Sequence, residues 1–219
     1  MLFGQIINAM FNRAFREGLI PFNPVGGLSN LERFPIPDTH REFLTPDELE
    51  AFLSVKTETE QERIVQQAFG FACMTGLRLS DMHRLCWSHI KPMDEGWCVQ
   101  ICQQKTKQWV TVPLNEKALS LLPERANKEV DDYIYKLVKK SDNVAKYVRR
   151  ICQKAGIEDK HITFHCSRQT VASLAISTGA DISTVGKILG HKSSVSTQVY
   201  AKVSLESKME VVNLTDGVF

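Results

Sequence analysis

Four side chains in the last quarter of the chain carry groups that can do chemistry: His165, Arg168, His191 and Tyr200. A guanidinium stays protonated and grips two oxygens of an anion at once. An imidazole takes up or releases a proton near neutrality. A phenol, with a pKa near 10, is only about a thousandth ionised at neutral pH, so it attacks only where positive charge favours the phenolate. The set therefore offers an oxygen nucleophile, proton carriers and a holder of anionic oxygens.

The surrounding residues dictate how these groups are held. His165 and Arg168 stand three apart, so on a helix they share a face. Ala172, Leu174, Ala175 and Ile176 make the next two turns apolar, and Gly179 ends them. Asp181 reads as the N-cap of a second helix with Ile182, Val185, Ile188 and Leu189 on one face and Gly190 as its stop. His191 comes immediately after. Ser193 and Ser194 can cap a last short helix, with Tyr200 one to two turns into it.

Upstream, Thr45-Pro46-Asp47-Glu48 is a capping box with Pro at the first helical position, and Leu49, Phe52 and Leu53 give that helix an apolar face. A longer helix begins near Gln61, turns Ile64, Val65, Ala68, Phe71 and Ala72 inward, and ends at Thr75-Gly76. Ser80 is positioned to cap a short helix burying Met82 and Leu85, with Trp87 and Ile90 continuing the core. Arg78 and Asp81 lie at this junction, three apart; alone they read as a surface pair of little worth. Trp97–Gln103 and Trp109–Val112 alternate partly and flank the polar turn Lys105-Thr106-Lys107-Gln108, a hairpin that Pro113 ends. Asn115–Leu122 reads as a helix, and Asp142 as the cap of another running to Gly156 with Val144, Tyr147, Val148 and Ile151 inward. The fold class is thus mainly α with a small antiparallel β-hairpin or sheet.

At 219 residues and 43% hydrophobic, the chain can build one large domain, or one domain with a fragment of another. No stretch nears the roughly 20 apolar residues of a membrane helix. No secretory signal is visible, and the six cysteines lack a C-x-x-C pair. A cytoplasmic protein with reduced thiols and no zinc is the expectation. The net charge of +2 is unremarkable, but its distribution is not. Acids crowd residues 38–62 and bases crowd 136–154, where Lys146, Arg149 and Arg150 share one helical face. That face would attract a polyanion. A solvated helix surface accounts for the same run of charge.

Taken in order, His165-Cys166-Ser167-Arg168, Leu189-Gly190-His191 and Tyr200 nine residues later resemble the C-terminal half of the phage-integrase, or tyrosine-recombinase, family. Thr75-Gly76-Leu77-Arg78, Ser80, Asp81, Leu85, Trp87 and Ile90 resemble the stretch around its first catalytic arginine. The resemblance covers about residues 40 to 203. It implies a tyrosine-recombinase catalytic domain over 28–219. Residues 1–27, with a helix over Phe3–Phe15 and the linker PFNPVGG, would be the remnant of the last helix of an N-terminal core-binding domain. The family carries a catalytic lysine eight residues before the proline of V-P-L, which points to Lys105. Lys107 is the rival.

The resemblance also implies the activity of a site-specific DNA recombinase or integrase. Arg78, Lys105, His165, Arg168 and His191 would serve the phosphate, Tyr200 would be the nucleophile, and Asp81 would orient Arg78. Arg78 and Arg168 would lie in a polar groove rather than in the core. Lys107, Lys146, Arg149 and Arg150 are the candidate DNA contacts. The partner would be double-stranded DNA, with self-association into a tetrameric synapse on it and a monomer when free. No cofactor or metal is implied. The tail 201–219, with Leu205, Met209 and Val212 spaced as an apolar stripe, would dock on a neighbouring subunit or on its own domain. Gln169 stands where the family often has a second histidine. A type IB topoisomerase and a non-catalytic DNA-binding relative are the alternatives.

Overall fold

The computed structural model describes residues 2–28 and 42–190. They fall in two units, one within residues 1–40 and the other from 41 onward. In the first, α1 (Leu2–Arg16) forms as its apolar spacing requires. It closes with Leu19 N–H donating to the Ala14 carbonyl at 2.9 Å and Gly18 N–H to that of Phe15 at 3.1 Å, a Schellman pair. The segment expected as a linker folds back on this helix. Asn23 Nδ2 donates to Oδ1 of Asn8 at 2.9 Å and of Asn12 at 2.7 Å.

The second unit is built around α3 (Glu60–Thr75), whose Val65, Ala68, Phe69, Phe71, Ala72 and Cys73 are all buried. A helix apolar on so many sides must be enclosed. It packs against α2 (Pro46–Ser54), α5 (Glu116–Ser120), α6 (Ser141–Lys154) and α7 (Cys166–Ser177). Phe69 meets Phe52 at 4.9 Å between ring centroids and Phe164 edge-on at 5.6 Å. Burial of each such ring stabilises by roughly 1.5–3 kcal/mol. The expected capping box is complete. Thr45 Oγ1 accepts from Glu48 N–H, and the Glu48 carboxylate accepts from Thr45 N–H at 2.7 Å.

Two short elements come after α3: α4 (Leu79–Met82) and a 3₁₀ turn at Trp87–His89. A three-stranded antiparallel sheet is next, β1 (Ile90–Met93), β2 (Gly96–Cys102) and β3 (Trp109–Leu114), in that spatial order. Val99 lies opposite Val112 and Ile101 opposite Val110, all facing the core. The hairpin is therefore as expected, and β1 adds an edge. Pro113 does not end β3 but sits within it, opposite Cys98. As β3 is also an edge, a missing N–H there leaves no ladder partner wanting.

Two expected caps are displaced. Ser80 lies inside α4, whose N-cap is Arg78, and Asp142 lies in the first turn of α6, whose N-cap is Lys140. Neither cap residue makes a side-chain capping bond. Asp181 does cap α8 (Ile182–Leu189), accepting from Thr184 N–H at 2.9 Å, and Gly190 ends it.

The opposed acidic and basic stretches partly meet. Glu62, fully buried, accepts from Glu58 N–H at 2.9 Å and pairs with Lys154 at 3.2 Å and Arg150 at 3.3 Å. The Glu58 N–H, with Lys154 and Arg150, outweighs burial and holds the Glu62 carboxyl below its ordinary range. Lys160 reaches Glu48 at 2.6 Å. For Glu48 burial raises the pKa, but the Lys160 and Thr45 bonds together lower it further.

Candidate active site

The ends of four elements converge. Arg78 leaves α3 just past Gly76 and begins α4. His165 occupies the N-cap position of α7, and Arg168 lies one turn in. The i, i+3 relation of His165 and Arg168 is therefore present, and with Arg78 they line one cavity of about 250 Å³. Leu79, Thr163, Phe164 and, from the start of α6, Ser141, Asp142 and Ala145 complete its wall. Spacing does not point to the three from α6, which are reached only through the packing of α6 against α3, for which a sequence shows no local signal.

Arg168 differs from the expectation of an exposed groove residue. It lines the cavity yet is only 1% exposed, the largest fully buried side chain among the described residues. Its Nη1 donates to the Gly76 carbonyl and its Nη2 to the Leu189 carbonyl at 2.9 Å. Gly76 caps the C-terminus of α3, and Leu189 is the last residue of α8. The guanidinium thus sits between two helix C-termini, where partial negative charge favours a cation.

Two glycines make this approach possible. Gly76 has φ +68, and a Cβ there would lie 2.5 Å from Leu189 Cδ2. Gly190 has φ +64, and a Cβ there would lie 2.5 Å from Gln103 Oε1. Both positions need the left-handed backbone and the missing side chain together.

Gln103, at the root of the hairpin turn, is fully buried. Its Oε1 accepts from Arg78 Nη1 at 2.5 Å and from Thr106 Oγ1 at 2.8 Å, and its Nε2 donates to the Leu189 carbonyl at 3.2 Å. Asp81, also fully buried, accepts from Gln104 N–H at 2.8 Å through Oδ1, while its Oδ2 has no hydrogen-bond partner among the described residues. Asp81 therefore anchors the hairpin root. Lys105 and Lys107 stand exposed on the turn beyond it, Lys107 with φ 56. Neither lines the cavity.

Of the proposed DNA contacts, Lys146 is exposed on α6. Arg149 Nη2 lies 3.2 Å from His161 Nε2, and Arg150 is engaged by Glu62. The basic face is thus partly neutralised by its own fold. Among other nucleophiles, Tyr135 is buried with its hydroxyl donating to the Leu121 carbonyl at 3.0 Å, and burial raises its pKa. Burial also pushes the Cys152 thiol up to about 12. Neither is poised to attack at neutral pH. His191, Tyr200 and the tail 201–219 lie outside the described residues.

Residues 42–206 match the phage integrase family. The chain belongs to that family. Among relatives of this integrase-family chain, tyrosine recombinase XerC of Thermodesulfovibrio yellowstonii is 27% identical over 223 residues, covering 94% of the chain and 71% of the relative. Tyrosine recombinase XerA of Thermococcus kodakarensis is 28% identical over 182 residues, covering 78% and 61%. The XerC relatives of Xylella fastidiosa are matched over 65% of their length, so the chain spans about two thirds of such proteins. In fold, it is similar to a lambda integrase fragment solved as a dimer on a COC′ core site, with TM-score 0.69 and 21% identity over 93% of this chain and 73% of that one. The Tn1549 transposon integrase, solved with circular-intermediate DNA, gives TM-score 0.68 and 16% identity over 95% and 76%. Helices α2 to α8 and the three-stranded sheet are thus a tyrosine-recombinase catalytic domain. Among the described residues no helix is long and apolar enough to cross a membrane.

Proposed function

We propose that this chain is the catalytic part of a site-specific recombinase that cuts and rejoins double-stranded DNA through a 3′-phosphotyrosyl bond at Tyr200. The observation that carries the reading is the cavity shared by Arg78, His165 and Arg168 in a domain of this family. Two guanidiniums hold the scissile phosphate and favour the charge that grows on it in the transition state. Loss of one such donor typically costs about 10²–10³ in rate. His165 takes the proton of the attacking phenol, and His191 bonds a non-bridging oxygen. Lys105, on the turn rooted beside Arg78, protonates the departing 5′-oxygen. The Tyr200 oxygen–phosphorus bond forms as the phosphorus–O5′ bond breaks. A second 5′-hydroxyl reverses the step on a new partner strand.

The rest of the assembly belongs to the same proposal. Residues 1–27 are the last helix and linker of an N-terminal DNA-clamping domain. Lys146 and Lys107 meet the DNA backbone, copies join in a synapse on DNA, and the protein works in the cytoplasm. The relatives named as tyrosine recombinases favour this over a topoisomerase. The test is Tyr200→Phe with nicked duplexes whose short 5′-hydroxyl fragment diffuses away. The parent should leave a denaturation-resistant adduct on the 3′ side, and the variant should bind the same DNA and leave none. An adduct persisting in Tyr200→Phe sinks the assignment.

A further inference from the structure

Gln103 lies outside every motif that points to the site, yet its amide bonds three separate parts of the site's framework. It is 0% exposed, and its three described side-chain bonds are all to parts that must be aligned. Oε1 holds Arg78 Nη1 at 2.5 Å. The same oxygen accepts from Thr106, the residue after Lys105. Nε2 donates to the Leu189 carbonyl, which also accepts from Arg168 Nη2 at 2.9 Å. A chain of bonds therefore runs from Arg78 through Gln103 and the Leu189 carbonyl to Arg168, and on to the Gly76 carbonyl, two residues from Arg78. It closes into a ring. Gly190 has no side chain where a Cβ would strike this amide, so the segment entering His191 is seated against it.

An amide is suited to this position because it accepts on one atom and donates on the other. A carboxylate would set two acceptors, its own oxygen and the Leu189 carbonyl, against each other. An alkyl group would leave Arg78 and Thr106 without this acceptor. Buried networks of this kind hold geometry well only when every member is satisfied.

We infer that Gln103 is the positioning residue of the site: it fixes Arg78, the root of the lysine-bearing turn and the approach to His191 in one register. This inference rests on the recombinase reading above. It makes Gln103 act through Arg78 and not on the phosphate itself. A displacement of about 1 Å at a reacting centre costs on the order of 10²-fold in rate.

The experiment uses the full chain and a pool of nicked duplexes of randomised sequence, with covalent adduct counted after denaturation. Gln103→Met should lower the rate of adduct formation at saturating DNA about 10²-fold, with DNA affinity within about twofold of the parent. Gln103→Glu supplies a readout that a merely structural residue would not move. When protonated, its carboxyl again both accepts and donates, so its rate relative to the parent should climb as pH falls from about 8 to 5, up to about tenfold per unit above the carboxyl pKa. A parent-like rate in Gln103→Met, or a flat ratio for Gln103→Glu, overturns the inference. If the parent forms no adduct with any duplex, the recombinase reading falls by itself. The hold on Arg78 is then read from its guanidinium nitrogen resonances. Rotation slowed in the parent and released in Gln103→Met supports the inference, and identical spectra overturn it.

Discussion

Arg78→Ala and Arg168→Ala should each slow cleavage by about 10²–10³-fold, but only the second should cost much stability. Arg168 is 1% exposed and bonds two carbonyls at helix ends. Its removal leaves the Gly76 carbonyl short of a donor, a loss of roughly 1–3 kcal/mol. The bond to the Leu189 carbonyl goes too, though Gln103 still serves that oxygen. The void left by the side chain adds to both. Release of a buried guanidinium acts in the opposite direction, but the two helix C-termini stabilise that cation, each by about 0.3–2 kcal/mol. The net loss comes to about 3–5 kcal/mol, or a fall of about 6–20 °C in Tm for a unit of this size. Arg78 is half-buried, and the oxygen it bonds keeps Thr106 as a donor. Its replacement should shift Tm by no more than about 3 °C. Thermal melts of the two variants beside the parent, with adduct formation on nicked duplexes, separate the effects. An Arg168→Ala protein that melts with the parent would refute the account of a guanidinium clamped between helix ends.

Gly190→Ala should destabilise by about 1–3 kcal/mol, because φ is +64 and the new Cβ would meet Gln103 Oε1 at 2.5 Å; urea titration measures it, and parent-like stability would count against that contact. Glu62 and Glu48, both held below the ordinary carboxyl range, add stability that is full above their unfolded value near 4.5 and is lost as pH falls through the lower folded values. Glu62→Gln should therefore flatten the acid limb of a pH–Tm curve, and an unchanged limb would show that Glu62 does not supply it. Lys105→Ala should slow adduct formation far more than Lys107→Ala, whereas Lys107→Ala should reduce the salt slope of DNA binding by about one; the reverse ranking in the same adduct assay would reassign the lysine.

Much of the framework was legible because it is local. The capping box at Thr45, the Asp181 cap and the glycine stops each depend on residues within one turn. Spacing alone also brought His165 and Arg168 to one face. What escaped depends on distant partners. Gln103, at the end of a strand, reads as an ordinary surface amide until Arg78 and Gly190 close over it. Asp81 lies three residues from Arg78, yet it serves the backbone of Gln104, 23 residues on. β1 carries no sequence signal because Ile90-Lys91-Pro92-Met93 is short, holds a proline and has Ile90 as its single strong strand former, and backbone pairing with β2 makes it a strand. The run of bases on α6 gives no sign of its partner, because Glu62 comes from a different helix to engage Arg150 and Lys154.

The seating of α8 has a dynamic consequence. Its Val185 and Leu189 join Ala172 in a small apolar cluster separate from the main core around α3. Regions held by few buried contacts open at a lower free energy than the whole fold. Detachment of α8 would withdraw the Leu189 carbonyl from Gln103 and Arg168 at once, while Phe52, Phe69 and Phe164 stayed packed. Amide protons on α8 and at the root of the hairpin would then exchange as one group, ahead of those of α3. The site would come apart and re-form as a local event within a domain that stays folded.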